Sequence, residues 1–147
     1  MSHTYVLNTV HIIFSTKNRV PTIASSLRPQ LWNYIHGLCR GETIFCHAVG
    51  GTADHVHLLV QIPGDTSLAK TVNVIKSNSS RWMTQQGSKF SWQVSYAAFS
   101  VSHSLVPAVV RYISEQENHH RRMDFSSELL ALIRKHNITY DPKHVFG

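Results

Sequence analysis

The run Asp54-His55-Val56-His57-Leu58-Leu59-Val60-Gln61-Ile62 constrains this chain's fold more than any other segment. Strand side chains alternate between faces, so His55 and His57 project together while Val56, Leu58, Val60 and Ile62 point the other way. One face of the strand must join a core, and the other carries two imidazoles side by side. The preceding residues supply a partner. Thr43 to Val49 reads as a strand and Gly50-Gly51 as a turn, so the two strands should form a hairpin.

The rest of the chain extends this sheet. Tyr5 to Phe14 is rich in β-branched and aromatic residues and runs into the basic loop Ser15-Thr16-Lys17-Asn18-Arg19. Leu27, Leu31, Ile35 and Leu38 recur at helical spacing, with Gly41 as a stop. Ser67 can cap a second helix carrying Leu68, Val72, Ile75, Trp82 and Met83, which Gly87 closes. A strand from Gln93 to Val101 and a helix from about Ser104 to His119 follow, Pro107 being tolerable in that helix's first turn. Residues 124–147 offer one more amphipathic helix, through Leu129, Leu132 and Ile133, and then a polar tail. The order strand, helix, strand, strand, helix, strand predicts an α+β, ferredoxin-like antiparallel sheet. Both crossover helices should lie on one face, leaving the other open to a ligand on the side of His55 and His57. At 147 residues the expectation is a single domain, 1–147.

Charge and composition narrow the partners. Lys+Arg 14 against Asp+Glu 8 gives a formal net charge of +6, which favours a polyanion without choosing between nucleic acid and a membrane surface. No stretch approaches the roughly 20 apolar residues of a membrane span, and Met1-Ser2-His3-Thr4-Tyr5 lacks the pattern of a signal peptide, so a soluble, cytoplasmic protein is expected. Cys39 and Cys46 should be packed thiols, since a zinc site using them with His47 lacks a second ligand cluster. No Gly-x-x-x-x-Gly-Lys-Ser/Thr loop is present, so no nucleotide cofactor is expected.

Tyr112 and Gln116 stand four apart, hence on one helical face, along the border of a stripe formed by Val106, Val109, Val110 and Ile113. His119 and His120 continue that border. Paired histidines on a half-exposed strand are as compatible with solvated or hydrogen-bonded rings as with a metal. Two imidazoles and the Gln116 carbonyl, however, make a mixed N/O set for Mg2+ or Mn2+ that leaves open positions, as catalysis requires. The Tyr112 phenol would attack a phosphate polarised there, its ordinary pKa near 10 lowered by the cation and by nearby Lys or Arg. The basic residues best placed for DNA are Lys17, Arg19, Lys70, Lys76, Arg81, Arg121 and Arg122, each of which reads equally as a solvated surface charge. Trp92, Tyr96 and Phe99 could stack on unpaired bases, though Trp92 and Phe99 fit a core better.

Three groups of residues carry a family resemblance: Asp54 to Val60, Tyr112-x-x-x-Gln116, and Phe90-x-Trp92-Gln93-x-x-Tyr96-x-Ala98-Phe99-Ser100-Val101-Ser102. With Phe14-x-Thr16-Lys17-x-Arg19 and Gln116-Glu117-x-His119-His120-Arg121, they resemble the single-tyrosine HUH transposases, the TnpA-like group of insertion sequences and their repeat-associated relatives. The resemblance implies a ferredoxin-like or RNA-recognition-like fold, metal ligation by His55, His57 and Gln116, and attack by Tyr112. It implies cleavage and rejoining of single-stranded DNA, usually hairpin-containing element ends, through a 5′-phosphotyrosine. It further implies a homodimer in which the Tyr112 helix can serve the partner's histidines. A non-catalytic single-stranded nucleic-acid-binding module is the alternative, and a zinc hydrolase using His55 and His57 a third reading.

Overall fold

The computed structural model describes residues 4–145; the first three positions and the last two of the predicted tail lie outside it. Four strands, β1 (Thr9–Ser15), β2 (Phe45–Gly51), β3 (His55–Gln61) and β4 (Ala97–Ser100), form one antiparallel sheet in the order β2-β3-β1-β4. The helices are α1 (Arg28–Gly41), α2 (Leu68–Gln85), α3 (Val106–Ser114), α4 (Gln116–His119) and α5 (Phe125–Lys135). The predicted α+β sheet is thus present, with the two central strands β1 and β3 in register so that Ile13 faces His57 and Ser15 faces His55.

Alternation sorts the side chains as the sequence requires. Val10, Ile12 and Phe14 of β1 join Val56, Leu58 and Val60 of β3 beneath Leu31 and Ile35 of α1 and Val72, Ile75 and Met83 of α2. Ser67 caps α2 by accepting from the Lys70 amide at 3.0 Å. Trp92 and Phe99 are buried, as their apolar surface demands.

The opposite face is not open. Phe125, Leu129 and Ile133 of α5 pack with Ile13 and Phe99 into a second cluster, and α3 lies across β2 and β3. The α5 stripe recurs every four residues and must be buried somewhere; each such side chain contributes about 1.5–3 kcal/mol when removed from water. The face expected to await a ligand is therefore roofed by the chain's own C-terminal helix.

Smaller departures bear on the site. Gly50 and Gly51 belong to β2, and the turn falls at residues 52–54, closed by Thr52 N–H to His55 C=O at 3.1 Å. A Cβ on Gly50 would lie 2.4 Å from the Ile113 carbonyl, so this glycine is where α3 rests on the sheet. The expected 104–119 helix is broken at Glu115, where ψ rises to 15°, separating α3 from α4. The predicted strand from Gln93 shortens to Ala97–Ser100 because the preceding carbonyls turn toward a side chain. Lys76 Nζ donates to the carbonyls of Gln93, Val94 and Ser95 at 2.8, 3.2 and 2.6 Å.

Candidate metal and tyrosine site

Strand β3 carries His55 and His57 onto the α3/α5 side, where both are completely buried. Their outer nitrogens are tethered differently. His55 Nδ1 meets Asp54 Oδ1 at 2.8 Å and Thr52 Oγ1 at 3.0 Å, whereas His57 Nδ1 meets Nε2 of His11 at 2.8 Å. Both Nε2 atoms consequently aim inward, His55 toward Gln116 Oε1 at 3.0 Å and His57 toward Glu128 Oε1 at 3.0 Å.

Glu128 is the centre of the arrangement. It projects from α5, is 2 % exposed, and receives His57 and His120 on Oε1, each at 3.0 Å. Its Oε2 accepts the Tyr112 hydroxyl and, at 3.1 Å, the Gln116 amide. Nitrogen of His119 lies 3.5 Å away. Although burial opposes ionisation, hydrogen bonds from His120 and His57 hold this carboxyl well below the usual range, so it is an anion.

Burial and the same anion together act on the phenol. Burial first, and then the hydrogen bond and charge of Glu128, push Tyr112 above its ordinary pKa, the reverse of the expected bias from Lys and Arg. Burial lowers His57 to about 4 and His11 to about 3, which keeps both rings neutral at neutral pH.

The donors, imidazole nitrogens with carboxylate and amide oxygens, suit a divalent ion that accepts mixed N/O ligands. One ligand atom each from His55, His57, His120 and Glu128 falls within a 4.8 Å span, and Gln116 Oε1 adds a fifth oxygen or nitrogen donor. Geometry at His55 also demands a positive centre. With its hydrogen on Nδ1 toward Asp54, the Nε2 lone pair faces the Gln116 oxygen at 3.0 Å, and two acceptors need a proton or cation between them. Flipping the amide would instead set its oxygen against Glu128 Oε2, so no flip satisfies both ends.

Of the residues predicted from sequence, His55, His57, Tyr112 and Gln116 converge here within one chain. Arg121 and Arg122 are exposed beside it, lining surface cavities of about 430 and 290 Å3 that also reach His120 and Tyr112 respectively. Lys17 and Arg19 are exposed in the turn after β1, with Arg19 bonded to Ser126 at the start of α5. Lys70 and Arg81 are exposed on α2, across the sheet from the site. Lys76 is committed to its three carbonyls, which accounts for its position better than a free phosphate contact. Sequence reasoning missed Glu128 and His11. A signal for Glu128 existed, since it is the one charge in the stripe Phe125, Glu128, Leu129, Leu132, Ile133.

Comparison with known proteins bears on the family and the fold. The family described as Transposase IS200 like matches residues 4–116. Two solved structures share the fold. One is a protein from Deinococcus radiodurans assigned to the transposases, with TM-score 0.62 and 22% identity over 79% of this chain and 96% of that one. The other is a REP-associated tyrosine transposase bound to a REP hairpin, with TM-score 0.61 and 18% identity over 82% of this chain and 73% of that one. No curated protein matches the chain in sequence. The fold and the family match together define a DNA-cleaving transposase. The chain belongs to the IS200-like transposase family, whose members are metal-dependent. Among the described residues no helix is long and apolar enough to cross a membrane.

Proposed function

We propose that this chain cuts and rejoins single-stranded DNA through a covalent 5′-phosphotyrosine on Tyr112, using Mg2+ or Mn2+ held by His55, His57, Gln116 and Glu128. The observation that carries the reading is the meeting of the Tyr112 hydroxyl and the His57 Nε2 on the one carboxylate of Glu128. A nucleophile and the ion-binding groups then share a single small volume, as an in-line attack on a coordinated phosphate requires. When bound, the ion polarises the scissile phosphate and offsets the charge that develops on its oxygens.

The chain's own residues supply the rest. Asp54 fixes His55, and α3 holds the phenol beside the histidines. As the Tyr112 oxygen bonds to phosphorus, its proton leaves to solvent, the P–O3′ bond breaks, and the departing 3′ oxygen is protonated by solvent, while Glu128 Oε2 serves to orient the hydroxyl. Rejoining reverses this: a DNA 3′-hydroxyl loses its proton to solvent and attacks the phosphotyrosine, and the released phenolate recovers a proton from solvent. The phosphotyrosine conserves the energy of the broken bond, so no nucleotide cofactor is needed.

An unpaired strand can enter by the cavities at His120 and Tyr112, where Arg121 and Arg122 face its phosphates, while Lys17 and Arg19 receive the flanking strand. Lys70 and Arg81 on α2 serve DNA farther from the scissile bond. The hairpin held by the REP-associated relative supports a hairpin-bearing substrate, and a homodimer is the proposed assembly. The test is a labelled single strand carrying a hairpin, incubated with Mn2+ or Mg2+ and run on a denaturing gel. A protein-linked band lost in Tyr112→Phe supports the mechanism. Tight binding with no band leaves a binding module, and cleavage surviving Tyr112→Phe leaves a hydrolase using activated water.

A further inference from the structure

We propose that His11 is a positioning residue that sets the tautomer of His57 and thereby decides whether that ring can bind the metal. The inference rests on the metal reading of the site and adds to it a group outside the ligand set. A neutral imidazole has one N–H and one lone pair, so the partner at either nitrogen dictates the other. Glu128, an anion, only accepts. In the arrangement seen, His57 therefore donates from Nε2 at 3.0 Å, and its Nδ1 accepts from Nε2–H of His11 at 2.8 Å.

A metal ligand needs the opposite state. The lone pair must sit on Nε2, which sends the hydrogen to Nδ1, straight at His11 Nε2. Were His11 to keep its hydrogen there, two N–H groups would collide at 2.8 Å in a buried place, His57 being 0 % and His11 4 % exposed. His11 must then move its own hydrogen to Nδ1 and present a lone pair. The two rings switch together.

His55 shows what the alternative would be. Its Nδ1 faces the Asp54 carboxylate, which cannot donate and so fixes the metal-ready tautomer whether or not an ion is bound. An imidazole partner is the acceptor in one state and the donor in the other, so His57 is satisfied in both. Strand register places it there: Ile13 pairs with His57, and His11, two residues earlier, shares Ile13's face of β1, its ring centroid 5.0 Å from that of His57.

The experiment combines calorimetric Mn2+ titration with 15N-histidine NMR, using Mg2+ as the diamagnetic probe. In the wild type, Mg2+ should move the His57 hydrogen from Nε2 to Nδ1 and the His11 hydrogen from Nε2 to Nδ1. His11→Phe keeps the ring volume but removes the acceptor, and Mn2+ affinity should fall about 10- to 100-fold, the usual cost of losing a ligand's hydrogen-bond partner. His11→Gln, whose amide oxygen can accept, should recover part of that loss. Affinity within twofold of wild type in both variants, or no tautomer change in the loaded wild type, overturns the proposal. The wild-type spectra need no variant to fold. A wild type that binds neither ion would instead sink the metal reading on which this one rests.

Discussion

Gly50→Ala probes the seat of α3, the helix that carries the proposed nucleophile, without touching any group assigned to the chemistry. A Cβ at this position would stand 2.4 Å from the Ile113 backbone oxygen and 3.1 Å from Ile113 Cγ2. Carbon and oxygen at ordinary contact need roughly 1 Å more, and a packed interior does not absorb that by compression. The carbonyl belongs to α3, one residue past Tyr112, so the relief available is to lift α3 from β2. Overpacking of this kind costs about 1–3 kcal/mol, equivalent to roughly 3–10 °C in melting temperature for a chain this long. The effect on catalysis should be larger in proportion. A 1 Å misplacement of a nucleophile costs on the order of 100-fold in rate, while the His55 and His57 rings on β3, the proposed ligands, stay where they are. The assay is single-turnover formation of the protein–DNA adduct, paired with thermal melting and Mn2+ titration. Gly37→Ala is the control: nothing lies within 4 Å of its Cβ, it is in the interior of α1, and the change should stabilise by about 0.5–1 kcal/mol. Adduct formation by Gly50→Ala within threefold of wild type, with an unchanged melting temperature, would refute the close approach as the feature that seats Tyr112.

Other perturbations separate the roles of individual groups. Tyr112→Phe should abolish adduct and cleavage yet retain DNA binding by gel shift, and an adduct still formed by the variant would move the nucleophile elsewhere. Glu128→Ala strands the polar atoms of His57, His120, Gln116 and Tyr112 in a buried place, and urea denaturation in EDTA should show a loss of about 3–5 kcal/mol; an unchanged midpoint would mean α5 is not seated as described. Replacing Lys17 and Arg19 together by alanine should make the log–log salt dependence of single-strand binding shallower by about 0.7 for each phosphate no longer neutralised, and an unaltered slope would place the strand elsewhere. Lys76→Met should lower stability by about 1–3 kcal/mol through its three carbonyl bonds with DNA affinity little changed, whereas weaker binding at unchanged stability would restore Lys76 to the DNA surface.

What is legible in the sequence is local. The H-x-H strand, the Ser67 cap, the alternation that buries Val56 and Leu58, and the four-residue spacing of Tyr112 and Gln116 follow from periods of 2 and 3.6. The misreadings share a cause. Gly50 reads as a turn residue because glycine's freedom is a local property, whereas its reason here is a helix that arrives from more than fifty residues away. The helix over 104–119 divides at Glu115 although nothing in its periodicity marks a break, and Gln93 leaves the strand because Lys76 draws away the neighbouring carbonyls.

Glu128 exposes the deeper difficulty. On a helical wheel it violates its own stripe, and a buried carboxylate among Phe125, Leu129 and Ile133 costs several kcal/mol unless it meets donors. Those donors sit at positions 57, 112, 116 and 120, on a strand, two helices and the residue that caps the second, which only the tertiary fold brings together. The family match stops at Gln116, short of α5. A charge that breaks an apolar stripe is therefore evidence for a polar cluster on whatever face that stripe covers, even when the partners cannot yet be named. Here the covered face is the one His55 and His57 occupy, the face that strand alternation singles out. The two signals together, a misplaced carboxylate on a covering helix and two histidines on the face it covers, locate a buried polar cluster able to hold a metal ion, which neither specifies alone.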